Sequence, residues 1–274
     1  MTGDEGGAKH QWHLLHLASI AVAWAFRLLP RRWRFRAAQL LAHAAEPFLR
    51  GTEAVRAQLR AKIDGPAEIA LYLVTNALTV NGTLFDPILT IDGYDDFVRI
   101  CREGRGVLLV QPHAVLTVLP NRLYHDRGLA PIGVSSEAQM RIAGTANPAN
   151  PLVPSPAFLV TARNRLREGR VVSAMIDRGE HSDGRTVAID TANGPVFVAP
   201  AFLQVAARCG ARVAFTEVHV EGWRVVTRIV VASSDTAEGL TREFGEFVRE
   251  HVAARFGGTS APAAMPGRLE GAER

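Results

Sequence analysis

The chain has 274 residues, 47% hydrophobic and 21% charged, with a net charge of +4. That is enough apolar material for one large α/β core with a helical extension, and it excludes an intrinsically disordered chain. Two isolated cysteines, Cys101 and Cys209, form neither a metal-ligand spacing nor a disulfide framework and suit a reducing compartment.

Residues 1–11 are polar and contain glycine, and read as a disordered tail. Trp12 to Leu29 (WHLLHLASIAVAWAFRLL) is the most apolar long segment. As a helix of about 1.5 Å per residue it would span about 27 Å, slightly short of a bilayer core. His13, His16 and Arg27 interrupt it, and the acidic flank Asp4-Glu5 argues against a cleaved signal peptide. Arg27, Arg31, Arg32, Arg34 and Arg36 then crowd around Trp33 and Phe35. Arginine mixed with aromatic side chains beside an apolar helix suits an anionic headgroup layer. The region 12–90 is therefore expected to be a helical extension associating with a membrane surface, peripheral or monotopic. Within it, Phe35 to Lys62 has helical spacing broken near Pro47 and Gly51, and Ala67 to Phe85 reads as a further helix.

The region 91–256 reads as the α/β core. Asp95 to Arg102 is a short helix ended by Glu103-Gly104-Arg105-Gly106. The apolar run Val107 to Gln111, bounded by Gly106 and Pro112, is a central-strand signal and presents His113 at its carboxyl end. In open α/β sheets ligands bind at that end of the strands, and a histidine there is a candidate general base because its ordinary pKa lies near working pH. Ala114 to Tyr124 is a short or kinked helix containing Pro120, Ala130 to Val134 a strand, and Thr145 to Pro156 a long loop of the kind that often joins a site. Phe158 to Gly169 is a helix with a glycine stop, and Val171 to Ile176 a second buried strand. Asp177 follows that strand and so has the same topological address as His113. Arg185 to Asp190 is a strand, Ala192 to Pro195 a turn, Val198 to Cys209 a helix, Arg212 to Val220 and Arg224 to Ala232 an antiparallel hairpin, and Thr236 to Phe256 a long amphipathic helix. Residues 257–274 read as a disordered tail. The expected fold is α/β: a mixed, mostly parallel sheet flanked by helices, with the helical membrane-associating extension at its amino end.

No Walker phosphate loop, G-x-S-x-G elbow or H-E-x-x-H pair occurs, and no nucleic-acid reading motif accompanies the arginines. Neither a metal, nor a cofactor, nor a nucleic-acid partner is expected.

The junction Gly106 to His113 resembles the catalytic strand end of the lysophospholipid acyltransferase superfamily. Within that superfamily the chain resembles the bacterial lipid A biosynthesis acyltransferases of the lauroyl/myristoyl type. The supporting elements come in order: the apolar amino-terminal helix, Leu29-Pro30 with its basic stretch, Glu103 to Gly106, Leu166-Arg167-Glu168-Gly169 before the strand ending at Asp177, Asn193-Gly194-Pro195, and Cys209 to Val213. The likeness covers residues 12 to 255.

That resemblance implies an acyltransferase at the cytoplasmic face of the inner membrane. It would carry an acyl group from an acyl carrier protein or acyl-coenzyme A thioester to a hydroxyl or amine of a lipid or specialised metabolite. It also implies a His–acid dyad spaced H-x-x-x-x-D/E, the histidine taking the acceptor proton and the acid orienting the imidazole. Here the fifth residue after His113 is Val118, which cannot orient an imidazole. An acid from elsewhere can replace it, with Asp177 first and Asp126 and Glu137 behind it; alternatively the histidine acts alone, or the chain has lost transfer chemistry and kept a binding pocket. Hydrolysis of a thioester or ester is a further alternative. The candidate catalytic residues are His113 and Asp177. The candidate substrate-binding residues are Gln111, Arg141, Arg178 and Gly194, with Arg163 as another arginine considered.

Overall fold

The computed structural model describes residues 21–49, 66–80, 88–112, 132–133, 158–178, 186–191 and 195–253. The expected tails, the helix at 114–124 and the loop at 145–156 lie outside them.

Residues 21–28 are helical (α1), followed by α2 (Arg31–Leu49) and α3 (Pro66–Val80). The chain then enters β1 (Ile88–Asp92), α4 (Tyr94–Arg102), β2 (Val107–Gln111) and β3 (Ile132–Gly133). It continues through α5 (Phe158–Arg167), β4 (Val171–Met175), β5 (Asp177–Arg178), β6 (Val187–Ile189), β7 (Val196–Val198) and α6 (Ala201–Cys209). β8 (Arg212–Glu221), β9 (Arg224–Val231), α7 (Ala237–Phe247) and a π-helical turn, Val248–Ala253, complete the described chain.

Six strands form the main sheet in the order β1-β9-β8-β2-β4-β3. β2 lies between β4 and β8, parallel to both, β1 is parallel to β9, and β3 is parallel to β4. Only the β8–β9 hairpin is antiparallel. The fold is thus mixed α/β with a mostly parallel sheet. All five residues of β2 are buried, as expected of a strand covered on both faces.

Alternation along the strands divides the core. Leu108, Val110, Val172, Ala174, Val213 and Phe215 face one side and pack under α5, α6 and α7. Val107, Leu109, Ala214 and Ile229 face the other and meet Phe97 and Ile100 of α4. Farther along that second face, Val218 and Val225 pack on α1, α2 and α3 through residues such as Phe35, Ala38 and Leu71. Each such fully buried Phe or Leu is worth about 1.5–3 kcal/mol relative to exposure.

Gly106 sets the start of β2. Its φ is 77°, and a Cβ added there would overlap the Leu166 carbonyl oxygen. The left-handed conformation and the close backbone approach to α5 both require glycine. Arg212 N–H donates to the Gly106 carbonyl at 2.9 Å and Val107 N–H to the Arg170 carbonyl at 3.1 Å, so this one residue aligns the starts of three neighbouring strands.

One expected boundary is corrected, and two features were not foreseen. Val196–Val198 is a strand, and the helix expected from Val198 begins only at Ala201. Val-Phe-Val is β-prone, and the residue before Pro200 is biased away from helix. α2 continues through Pro47 and ends at Leu49, between Pro47 and Gly51, where the break was expected. β1, which the sequence reading missed, forms the edge of the main sheet. A second, three-stranded sheet, β5-β7-β6, went unforeseen as a sheet; β6 falls within the strand expected from Arg185 to Asp190, whereas β5 and β7, two and three residues long, give no periodic signal. No helix among the described residues is long and apolar enough to cross a membrane.

Candidate functional site

β2 and β4 are neighbours, and Gln111 is the register partner of Met175. Two residues past Met175 stands Asp177, buried to 3% exposure. Two residues past Gln111 in sequence stands His113, which lies outside the described residues, as do Val118, Asp126, Glu137, Arg141 and Gly194. Arg178 is described in its backbone, paired with Phe197. Arg163 is exposed on α5 and donates to the Asn164 side chain at 3.3 Å.

After Ile176 the chain leaves the main sheet. β5 pairs antiparallel with β7, Asp177 opposite Val198, and Ala199 N–H donates to the Ile176 carbonyl at 2.7 Å. This second sheet grips the chain directly after β4, so the backbone of Asp177 is held by pairing on a strand that emerges beside the end of β2.

Polar side chains gather beneath the same end. Gln111 Nε2 donates to Ser173 Oγ at 3.2 Å, both residues buried. Thr216 follows Phe215 on β8 as Gln111 follows Val110, the register partner of Phe215, so the two share a face. Thr227 of β9 faces the same way, opposite Val218. Both threonines are fully buried, and neither hydroxyl has a hydrogen-bond partner among the described residues. Gln111 and Ser173 satisfy each other, whereas a buried hydroxyl without a hydrogen bond is destabilising.

On the opposite face the strand β8 carries Glu217 and His219, which the sequence reading did not single out. Glu217 is fully buried; its Oε1 lies 3.3 Å from His219 Nδ1 and 3.6 Å from Arg228 Nη1. Arg228 Nη1 is 3.1 Å from Nδ1 of His251 on the π-helical turn, whose ring packs 5.2 Å from Phe247. Burial holds the His219 pKa below its ordinary 6.5, and Arg228 adds to this against the opposing pull of Glu68, Glu221 and Asp92. His251 is lowered likewise, by burial first and Arg228 second, against Glu250. Both imidazoles are neutral at neutral pH, and their contacts with Glu217 and Arg228 tie β8, β9 and the π-helical turn together. The signal available in sequence was the alternation Thr216-Glu217-Val218-His219, which interrupts a strand otherwise apolar on that face.

Cys101 and Cys209 are both free thiols. Among the described residues no group of His, Cys, Asp or Glu is arranged to hold a metal ion. No protein-family model matches the chain, and no curated protein matches it.

Proposed function

We propose that the chain is a membrane-associated acyltransferase in which His113 is the general base and Asp177 the acid that orients it. The observation that carries this reading is the register of β2 and β4: Gln111 opposes Met175, and the two proposed catalytic residues each follow by two positions. Neighbouring parallel strands lie about 4.8 Å apart at that register pair, so the segments that lead to both residues leave the sheet side by side. The address is also the ligand-binding one for a parallel sheet, and the resemblance of Gly106 to His113 to acyltransferases of lipid biosynthesis supplies the reaction class.

In the proposed step His113 takes the proton from the acceptor hydroxyl or amine as that atom attacks the thioester carbonyl. Collapse of the tetrahedral intermediate breaks the carbon–sulfur bond, and the imidazolium returns the proton to the leaving thiolate. Asp177 stabilises the imidazolium, the division of labour seen in nucleophile–base–acid triads. Gln111 and Ser173 lie directly beneath this end and are assigned to substrate positioning. The donor is an acyl carrier protein or coenzyme A thioester, and the acceptor a lipid or specialised metabolite; Arg141, Arg178 and Gly194 remain proposed contacts for its anionic groups.

Asp177→Asn tests the assignment. It preserves shape while removing the charge, and turnover is expected to fall by about 10²–10⁴-fold with the fold intact. Full turnover in Asp177→Asn, alongside loss of activity in His113→Ala, would move the acid elsewhere. Val118 at the expected dyad position favours one rival, a catalytically silent lipid-binding homologue, for which neither substitution changes any thioester signal.

A further inference from the structure

Eleven large hydrophobic side chains are exposed among the described residues, and eight of them belong to three elements: Trp24, Leu28 and Leu29 at α1 and its end, Trp33, Leu40, Leu41 and Phe48 on α2, and Trp223 at the β8–β9 turn. Phe48 is 83% exposed, Trp24 62% and Trp223 44%. α2 therefore carries two apolar stripes. Phe35, Ala38 and Ala42 form the buried one. Trp33, Leu40, Leu41 and Phe48, seven or eight residues apart, recur every two turns and fall on the other side.

The fold brings the hairpin tip to this stripe. Gln39 Nε2 donates to the Gly222 carbonyl at 3.0 Å, and the Arg36 guanidinium lies 5.4 Å from the Trp33 ring and 5.9 Å from the Trp223 ring. Arg27 stands 5.1 Å over Trp24. Arg27, Arg31 and Arg32 are exposed, and no Asp or Glu occurs from residue 6 to residue 45.

β8 runs parallel to β2, so its turn lies on the side of the sheet where β2 ends. Six residues separate Phe215, the partner of Val110, from Glu221; at strand spacing the tip stands about 20 Å farther along.

We propose that this face docks on an anionic bilayer, with the Trp223 hairpin tip as a contact separate from α1 and α2, and that docking turns the carboxyl edge of the sheet toward the membrane. Exposed Trp, Leu and Phe set among arginines match a headgroup layer above acyl chains; an acidic soluble partner would use the arginines but leave the leucines and Phe48 wet. The orientation rests on the acyltransferase reading only in its consequence: the acceptor would be a lipid that enters from the bilayer.

The full chain is tested by co-sedimentation with phosphatidylcholine vesicles, with and without phosphatidylglycerol. Binding to the anionic vesicles, weakened by salt, is expected. Loss of each arginine near the surface weakens partitioning about fivefold, so Arg31→Ala with Arg32→Ala lowers it about 25-fold, and Trp223→Ser lowers it several-fold. A variant retaining Trp223 alone (Trp12→Phe, Trp24→Phe, Trp33→Phe) is expected to shift its emission to the blue on adding vesicles. Wild-type binding by Trp223→Ser together with an unshifted Trp223 spectrum overturns the hairpin contact. Binding to an acyl carrier protein in place of vesicles, lost in the double arginine variant, overturns the bilayer as occupant. Vesicle binding without thioester turnover removes the acyltransferase reading and leaves the docking face; turnover without vesicle binding removes the docking face and leaves the reading.

Discussion

Gln111 at the end of β2 and Ser173 in the middle of β4 are joined by a buried side-chain hydrogen bond of 3.2 Å. Ser173→Ala leaves the Gln111 amide without that acceptor. A buried donor stripped of its partner costs about 1–3 kcal/mol, so the denaturation midpoint is expected to fall accordingly, and turnover to fall with it if the pair also positions substrate. An unchanged midpoint would mean that water reaches Gln111.

Gly106→Ala is expected to be among the most damaging single substitutions. It combines a left-handed conformation that costs an L-residue about 1–2 kcal/mol with backbone overlap at Leu166, and overpacking adds about 1–3 kcal/mol. Gly104→Ala is the control: its φ is also positive, at 71°, but nothing lies within 4 Å of the added Cβ. Urea denaturation of the two variants should separate strain alone from strain plus overlap.

The two lowered histidines make stability pH-dependent. Their folded pKa values lie below the ordinary 6.5, so below that pH the unfolded chain binds more protons than the folded one. Stability is then present above about pH 6.5 and is lost as pH falls toward the folded values. Thermal midpoints measured from pH 7.5 down to pH 5 should drop more steeply for the wild type than for a His219→Asn, His251→Asn variant. Parallel slopes would remove both histidines from the acid response.

Burial raises the Cys101 thiol to a pKa of about 11. At pH 8 about one part in a thousand is thiolate, the reactive form. Iodoacetamide treatment of the folded protein at pH 8 should leave Cys101 unmodified, and urea should expose it; peptide mass mapping reads both. Rapid modification in the folded state would contradict the packing of α4 against the sheet.

The parts of the fold legible in the sequence were those with long periodic or bounded signals. The strand from Val107 to Gln111, the hairpin at Glu221-Gly222 and the Thr236 start of α7, whose hydroxyl accepts from Gly239 N–H, follow from apolar runs, turn residues and a capping residue. β5 and β7 did not show because two- or three-residue strands are defined by tertiary pairing, whereas β6 falls within the strand expected from Arg185 to Asp190. The neighbourhood of β2 and β4 could only be posed as a condition, since strand order is not written locally. The cluster of Glu217, His219, Arg228 and His251 escaped because its members come from two strands and a π-helical turn, and only the fold brings them within 4 Å of one another in sequence of contact. Trp223 carried no signal of its own in the sequence; only the hairpin places it beside Arg36.

The central claim is most directly tested by following thioester consumption by mass spectrometry. Wild-type and His113→Ala protein are mixed with a panel of acyl-carrier-protein and acyl-coenzyme A donors and an extract of lipids and amines. Loss of one donor, with a matching acylated product, is expected in the wild type and not in His113→Ala. Equal donor levels in both, with both proteins folded and a competent donor present, would contradict it.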